Sequence, residues 1–141
     1  MSGNRFAVLV AAAALFALFA LMLLAIPVPS QSFAAAEDYR FELVGSPVKS
    51  GKITLIKVRL VHLPDGKPVA GAIIVQSKLD MSPEGMATMT APAKAVGTPE
   101  AGIYQIVAEP AMGGNWALHL SAKVQGEPGT VNGTATLAIP K

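Results

Sequence analysis

Three methionines stand close together in the middle of the chain, at Met81, Met86 and Met89. The surrounding methionine segment, residues 80–92, contains two prolines and a glycine and has no sustained apolar period. This composition predicts an exposed loop rather than a core strand or helix. Thioethers are soft ligands that favour Cu(I) and similar ions over hard cations. The sequence therefore suggests a soft-metal site on a loop, with Cu(I) as the expected ion.

Three further side chains could complete such a site. Met112 would add a thioether, and His62 or His119 would add an imidazole, which suits Cu(II) as thioether suits Cu(I). Each also has an ordinary role: methionines fill uneven gaps or offer an apolar surface to another protein, and histidines are often hydrogen-bonded or solvated. The sequence leaves these alternatives open.

Several classes of function have no support in the sequence. The chain has no cysteine, which excludes disulfides, thiol catalysis and cysteine-ligated metals. No serine stands in a nucleophile-elbow motif, and the carboxylates of Asp80 and Glu84 have no base beside them and would simply keep the loop solvated. The net charge is +2 and the basic residues are dispersed, so nucleic-acid binding is not expected. We predict a protein that is not an enzyme.

The N-terminus resembles an export segment. Residues 6–26 form an uninterrupted apolar run after Arg5. Further on, Ala34 and Ala36 fit the small-residue rule for cleavage before Glu37. The apolar run is also long enough to span a bilayer.

Two interpretations of this segment remain. Residues 1–36 are either a cleaved signal peptide or an N-terminal membrane anchor, in which case residues 6–26 are the expected membrane contact. In both cases residues 37–141 would be periplasmic or otherwise exported, and their length suits one domain.

The exported part shows the alternating apolar pattern of β-strands. The clearest case is 52–63, where even-numbered residues from Thr54 to His62 share one face, and Lys57 and Arg59 mark the other face as solvent-exposed. We assign the even-numbered face to the core, with His62 partly buried near its end. The predicted strands cover residues 39–44, 52–63, 71–79, 103–108, 116–124 and 134–139.

Six strands joined by Gly/Pro-rich turns, without a helical period, predict an all-β fold, a β-sandwich of immunoglobulin-like type. Trp116 and Tyr104 are expected in its core, and the Tyr104 hydroxyl is expected to hydrogen-bond the backbone near a corner of the sandwich. His119 is expected on the outer, solvated face of its strand.

Several short motifs occur in a fixed order: an Asp-Gly-Lys-Pro turn with the residues after it at 65–72, the methionine segment, Gly-Ile-Tyr at 102–104, and Gly-Gly-Asn-Trp at 113–116. In these motifs the chain resembles the FixH/YtkA-like family of small exported β-sandwich domains, over about residues 40–140. Residues 122–128 are similar to segments of domains associated with heavy-metal RND efflux systems. The resemblance implies an accessory or metal-handling role and carries over no catalytic residue.

Two functions are consistent with these patterns. In the first, Met81, Met86 and Met89 capture Cu(I) or a similar soft ion and pass it to a membrane transporter, such as a heavy-metal RND efflux complex. In the second, the domain binds no ion and docks on a membrane protein complex through an edge strand or the methionine segment.

Overall fold

A computed structural model describes residues 36–141 of the chain. The predicted signal peptide or anchor at residues 1–36 lies outside this range except for its last residue, and it stays a prediction. Within the described part, helical structure is confined to two short 3-10 turns, Ala36–Asp38 and Ser82–Glu84. No helix in this part has the length and apolar character needed to cross a membrane.

The remaining structure is two antiparallel sheets. Sheet A has the strand order β1-β3-β8-β7, with β2 and β4 also pairing with β3, and sheet B has the order β10-β9-β5-β6. The strands are β1 (Tyr39–Leu43), β2 (Val48–Ser50), β3 (Ile53–His62), β4 (Lys67–Pro68), β5 (Ile73–Met81), β6 (Met86–Ala91), β7 (Ala93–Glu100), β8 (Ile103–Ala108), β9 (Gly114–Lys123) and β10 (Thr130–Ile139). One hydrophobic core draws on both sheets, which confirms the predicted β-sandwich.

Strand alternation places the core where the sequence predicts it. In β3 the even-numbered residues from Thr54 to Leu60 are buried, whereas the side chain of His62 at the strand end is half-buried. Trp116 of β9 is fully buried, as expected. The other large, fully buried apolar side chains of the two sheets are Ile56, Leu60, Leu79, Ile106, Leu118 and Leu120.

One side of the sandwich is closed where β1 packs against β10. Phe41 is buried there, and its ring lies against Gly133: a Cβ atom on that glycine would stand 2.6 Å from the Cδ2 atom of Phe41. A larger residue would force the ring or the strand to shift. Glycine is therefore required at position 133 by the close approach of a ring, rather than by a turn.

The other side carries a continuous edge ribbon, which we define as residues 86–100. Its first half, β6, is the edge strand of sheet B, and its second half, β7, is the edge strand of sheet A; Pro92 alone separates them. The sequence analysis predicts no strand between 79 and 103, and this prediction is wrong. Edge strands tolerate proline and glycine because one side of the strand need not pair, and the pairing of β7 with β8 shifts register around Gly97.

Tyr104 fastens the connection between β4 and β5 to the core. Its side chain is buried, and its hydroxyl donates to the carbonyl oxygen of Val69 at 2.7 Å and accepts from the backbone N–H of Ala72 at 3.0 Å. The predicted hydrogen bonding of this hydroxyl to the backbone is confirmed. One phenol oxygen thus satisfies two backbone groups of the connection.

Replacing Tyr104 with Phe keeps the ring and removes both hydrogen bonds. The N–H of Ala72 is then buried without a partner, so we expect Tyr104→Phe to lower the free energy of unfolding by about 1–3 kcal/mol in a urea titration. Tyr39→Phe is the matched control, because the Tyr39 hydroxyl makes one hydrogen bond, 2.6 Å from Oε1 of Glu127, at a half-buried position. Equal losses in the two variants would contradict this role for Tyr104.

Candidate functional site

The structure places Met81 in the core. It is the last residue of β5, and its side chain is 2% exposed. The prediction that the methionine segment is a loop with three exposed thioethers is therefore wrong for this residue. The turn signals in the sequence belong to one tight reversal: Pro83 lies in the 3-10 turn, and Gly85, with a left-handed φ of 75°, ends it and leads directly into β6.

Met86 and Met89 lie on β6 and are exposed by 40% and 36%. Met86 is the register partner of Met81, and side chains directly opposite each other on neighbouring strands are close enough to touch. Met89 lies three residues further on, among residues 87–89, which have no register partner on β5 because the pairing shifts between Asp80 and Met81. The strand register therefore places Met86 opposite Met81 and gives Met89 no partner on β5.

Met112 lies in the connection between β8 and β9 and is 48% exposed. Two residues later, Gly114 passes directly over Met81: a Cβ atom at Gly114 would stand 2.9 Å from the Cε atom of Met81. The same end of the sandwich thus holds Met81, Met86 and Met112, a different set of three from the one the sequence predicts.

The two histidines have oxygen-bearing partners elsewhere. His62 lies at the far end of β3, with its Nδ1 atom 3.0 Å from Oδ1 of Asp65 and its ring centroid 5.1 Å from that of Tyr39. His119 lies on the outer face of sheet B, as predicted, and its side chain is 42% exposed. Within residues 36–141, no three His, Cys, Asp or Glu side chains converge to hold a metal ion. Among the described residues, Met81 and Met86 are the two predicted thioether ligands that the strand register places opposite each other.

Asp80 forms a polar cluster on the outer face of sheet B that the sequence analysis misses. Its side chain is only 6% exposed and lies on β5, so the prediction of a solvated loop residue is wrong for Asp80. Its Oδ2 atom lies 2.9 Å from Nε2 of His119 and 3.6 Å from Nζ of Lys78, and its Oδ1 atom accepts from the backbone N–H of Ser82 at 3.0 Å. On the other side of the ring, Nδ1 of His119 lies 3.0 Å from Oγ1 of Thr134.

These contacts keep the carboxylate ionised. Hydrogen bonding from Ser82 is the largest cause of a pKa for Asp80 below its usual value of 3.8; burial opposes this effect, and the neighbouring His119 and Lys78 lower the pKa further. The contact between Nε2 of His119 and Oδ2 of Asp80 is short but lacks hydrogen-bond alignment. The cluster therefore holds a buried carboxylate where β5, β9 and β10 meet. The residues next to Asp80 in the sequence do not predict this burial.

The start of β6 is also fastened to sheet B. The Oε1 atom of Glu84, in the 3-10 turn, accepts from the backbone N–H of Asn115 at 3.0 Å and from its side-chain amide at 2.8 Å. Two hydrogen bonds to one carboxylate oxygen hold the turn against the beginning of β9. The exposed methionines of β6 are thus presented from a fixed position.

Asp80→Asn tests the charge. Because the pKa of Asp80 is lowered in the folded state, its carboxylate contributes stability above pH 3.8 that is lost as the pH falls below that value. We expect the variant to be less stable by about 1–2 kcal/mol at neutral pH, and the difference to shrink towards pH 3 in urea titrations across that range. Glu42→Gln, at a half-exposed site 3.8 Å from Arg40, is the control and should show little difference at any pH. A constant difference for Asp80→Asn would show that shape rather than charge is lost.

Comparison with known proteins gives one family. The model of the YtkA-like family matches residues 33–121, which cover β1 to β8 and most of β9 and amount to more than half of the chain. A search of curated proteins gives no match. The matched region contains the tight turn, both strands of the edge ribbon, the Tyr104 corner and Trp116. The chain belongs to the YtkA-like family.

Proposed function

We propose that this YtkA-like domain is an exported accessory module that docks on a membrane protein complex through the open edge of β6. The observation that carries the proposal is the composition of that strand: Met86–Ala91 contains no charge, no proline and no glycine, and it exposes two methionines. Export is supported by the apolar run at residues 6–26 and the small residues before Glu37.

The other edges of the two sheets are protected or covered. Exposed edge strands are normally blunted with charges, prolines or bulges, because an unpaired edge recruits further strands. In β7 these features are Lys94, Pro99 and the register shifts around Gly97. In β1 they are Arg40 and Glu42, and β10 packs against β1 on the closed side. In this comparison β6 stands out because it contains no charge and no proline, although its pairing with β5 also shifts register between Asp80 and Met81.

The chemistry of β6 suits a variable apolar partner. Methionine side chains are long, flexible and polarizable, so they adapt to irregular apolar surfaces. An extended segment of the partner could add to β6 by main-chain hydrogen bonds and place its own apolar side chains against Met86 and Met89. The hydrogen bonds between Glu84 and Asn115 hold the start of β6 in place, so less conformational entropy is lost when a partner binds.

Charge on the edge should prevent docking without unfolding the domain, since both methionines are already exposed. We expect a photo-cross-linker at Thr88, on β6, to capture a membrane protein in intact cells, and Met86→Lys/Met89→Lys to abolish the product. Met86→Leu/Met89→Leu keeps the apolar contact and should retain it.

The matched control is a cross-linker at Thr136, an exposed position on β10 that should give no such product. Docking through β6 would be contradicted by a product that survives the lysine substitutions, or by one that forms equally from Thr136.

Soft-ion handling is the second candidate, and the register pairing of Met81 with Met86 favours it. Cu(I) accepts two soft ligands in irregular geometry, and Met112 lies at the same end of the sandwich to add a third. In this function the domain would deliver the ion to a membrane transporter, of which a heavy-metal RND efflux complex is the proposed example. Met89 would take no part.

An anaerobic competition titration against a chromogenic Cu(I) chelator separates the two candidates. If the ion binds at this end of the sandwich, Met86→Leu should weaken binding about tenfold or more, because a thioether ligand is lost while size is kept. Met89→Leu is the matched control and should leave binding unchanged. Failure of the unmodified protein to compete at any ratio would remove the soft-ion candidate and leave docking.

A further inference from the structure

A cleft opens at the end of the sandwich that holds Met112. It has a volume of about 420 Å³, which lies within the range of small-molecule sites. Its walls come from the turn between β2 and β3, from the connection after β8 and from the end of β10. The lining residues that matter here are Lys49, Lys52, Thr54, Glu109, Met112 and Ile139.

Among the described residues, Thr54 carries an unpaired polar group, its hydroxyl, at the cleft. Its side chain is fully buried at the inner wall of the cleft, and among residues 36–141 its hydroxyl has no hydrogen-bond partner. Buried polar groups in folded proteins are nearly always paired, because an unpaired one destabilises the fold. A group from outside the chain would satisfy this hydroxyl.

The charges around the cleft select the ligand. Lys49 is the register partner of Thr54, so its side chain starts from the same face of the sheet, and Lys52 lies in the adjoining turn. Within the described residues neither lysine forms an ion pair. Glu109 is the single acidic residue of the lining, and the balance of two positive charges and one negative favours a monoanion over a dianion.

The rest of the lining is apolar. Ile139 is buried, whereas the side chain of Met112 is exposed. The backbone carbonyl oxygen of Met112 accepts a hydrogen bond from Nε1 of Trp116 at 3.2 Å. The hydroxyl oxygen of Thr54 itself exposes less than 1 Å², so a ligand atom reaches it only after a neighbouring side chain changes rotamer. Met112, with three rotatable bonds and an exposed side chain, is the flexible apolar member of the lining.

We propose that this cleft binds a small amphipathic monocarboxylate. Its carboxylate lies between Lys49 and Lys52 and accepts a hydrogen bond from the Thr54 hydroxyl, and its hydrocarbon part lies against Met112 and Ile139. The site is separate from the β6 edge and does not depend on the proposed docking or on metal binding.

The only tryptophan of the chain, Trp116, reports on the cleft because it is bonded to the backbone of Met112. We expect sodium hexanoate to change the fluorescence of the full chain in a saturable way. Lys49→Gln/Lys52→Gln should weaken binding about tenfold, since charge-assisted hydrogen bonds are lost. Lys57→Gln, on the exposed face of β3, removes one charge elsewhere and should leave binding unchanged.

Thr54→Val should change two measured quantities in opposite directions, the affinity for hexanoate and the melting temperature. It keeps the shape of the side chain and removes the unpaired hydroxyl, so it should weaken hexanoate binding while raising the melting temperature of the ligand-free protein by a few degrees. A purely structural threonine would give the reverse, a lower melting temperature with unchanged affinity.

Four results would overturn the proposal. They are no saturable response to hexanoate, equal binding of 1-hexanol, competition by inorganic phosphate as strong as that by hexanoate, and unchanged hexanoate affinity in Thr54→Val. The second would mean that the anion is not recognised, the third that the hydrocarbon is not, and the fourth that water is the partner of the hydroxyl.

Discussion

The packing of two sheets around Trp116 is the interaction on which the rest of the structure depends. The chain has no cysteine, so apolar contact between sheets A and B must stabilise the fold without covalent help. The indole fills the space between the sheets, and its N–H holds the connection after β8 through the Met112 carbonyl. That connection in turn forms one wall of the cleft and passes over Met81. Changes at this end of the domain are therefore linked to the core through Trp116 and Met81.

The sequence predicts the inner strands well because their side chains face two environments. The alternation of β3, the burial of Trp116 and the corner formed by Tyr104 all follow from patterns that the core imposes. The edge ribbon could not be predicted in the same way: β6 is exposed along nearly its whole length, so no face of it carries a hydrophobic signal. The burial of Asp80 could not be predicted either. His119, which contacts it, lies on β9 far away in sequence, and Lys78, two residues before Asp80, has the composition of a solvated position.

The methionines illustrate how one residue type serves different purposes within a few positions. Met81 is a core residue, whereas Met86, its register partner, is at the surface. A tight turn of four residues, 82–85, separates them, and the density of methionines in the sequence does not distinguish this turn from a flexible loop. Exposure at an unprotected edge favours a partner surface, and adjacency of two thioethers favours a soft ion. Both properties belong to the same end of the domain.

The crossing at Pro92 has a consequence for how the chain folds. Residues 73–108 form two successive hairpins, β5–β6 and β7–β8, with short turns, and each hairpin joins a different sheet. Contacts so close in sequence form with little loss of chain entropy, whereas the pairing of β3 with β8 and of β5 with β9 closes longer loops. Both sheets can therefore nucleate from the contiguous residues 73–108, in which Pro92 marks the change from sheet B to sheet A. The residues that end as the rim of the sandwich would then be among the earliest to acquire order.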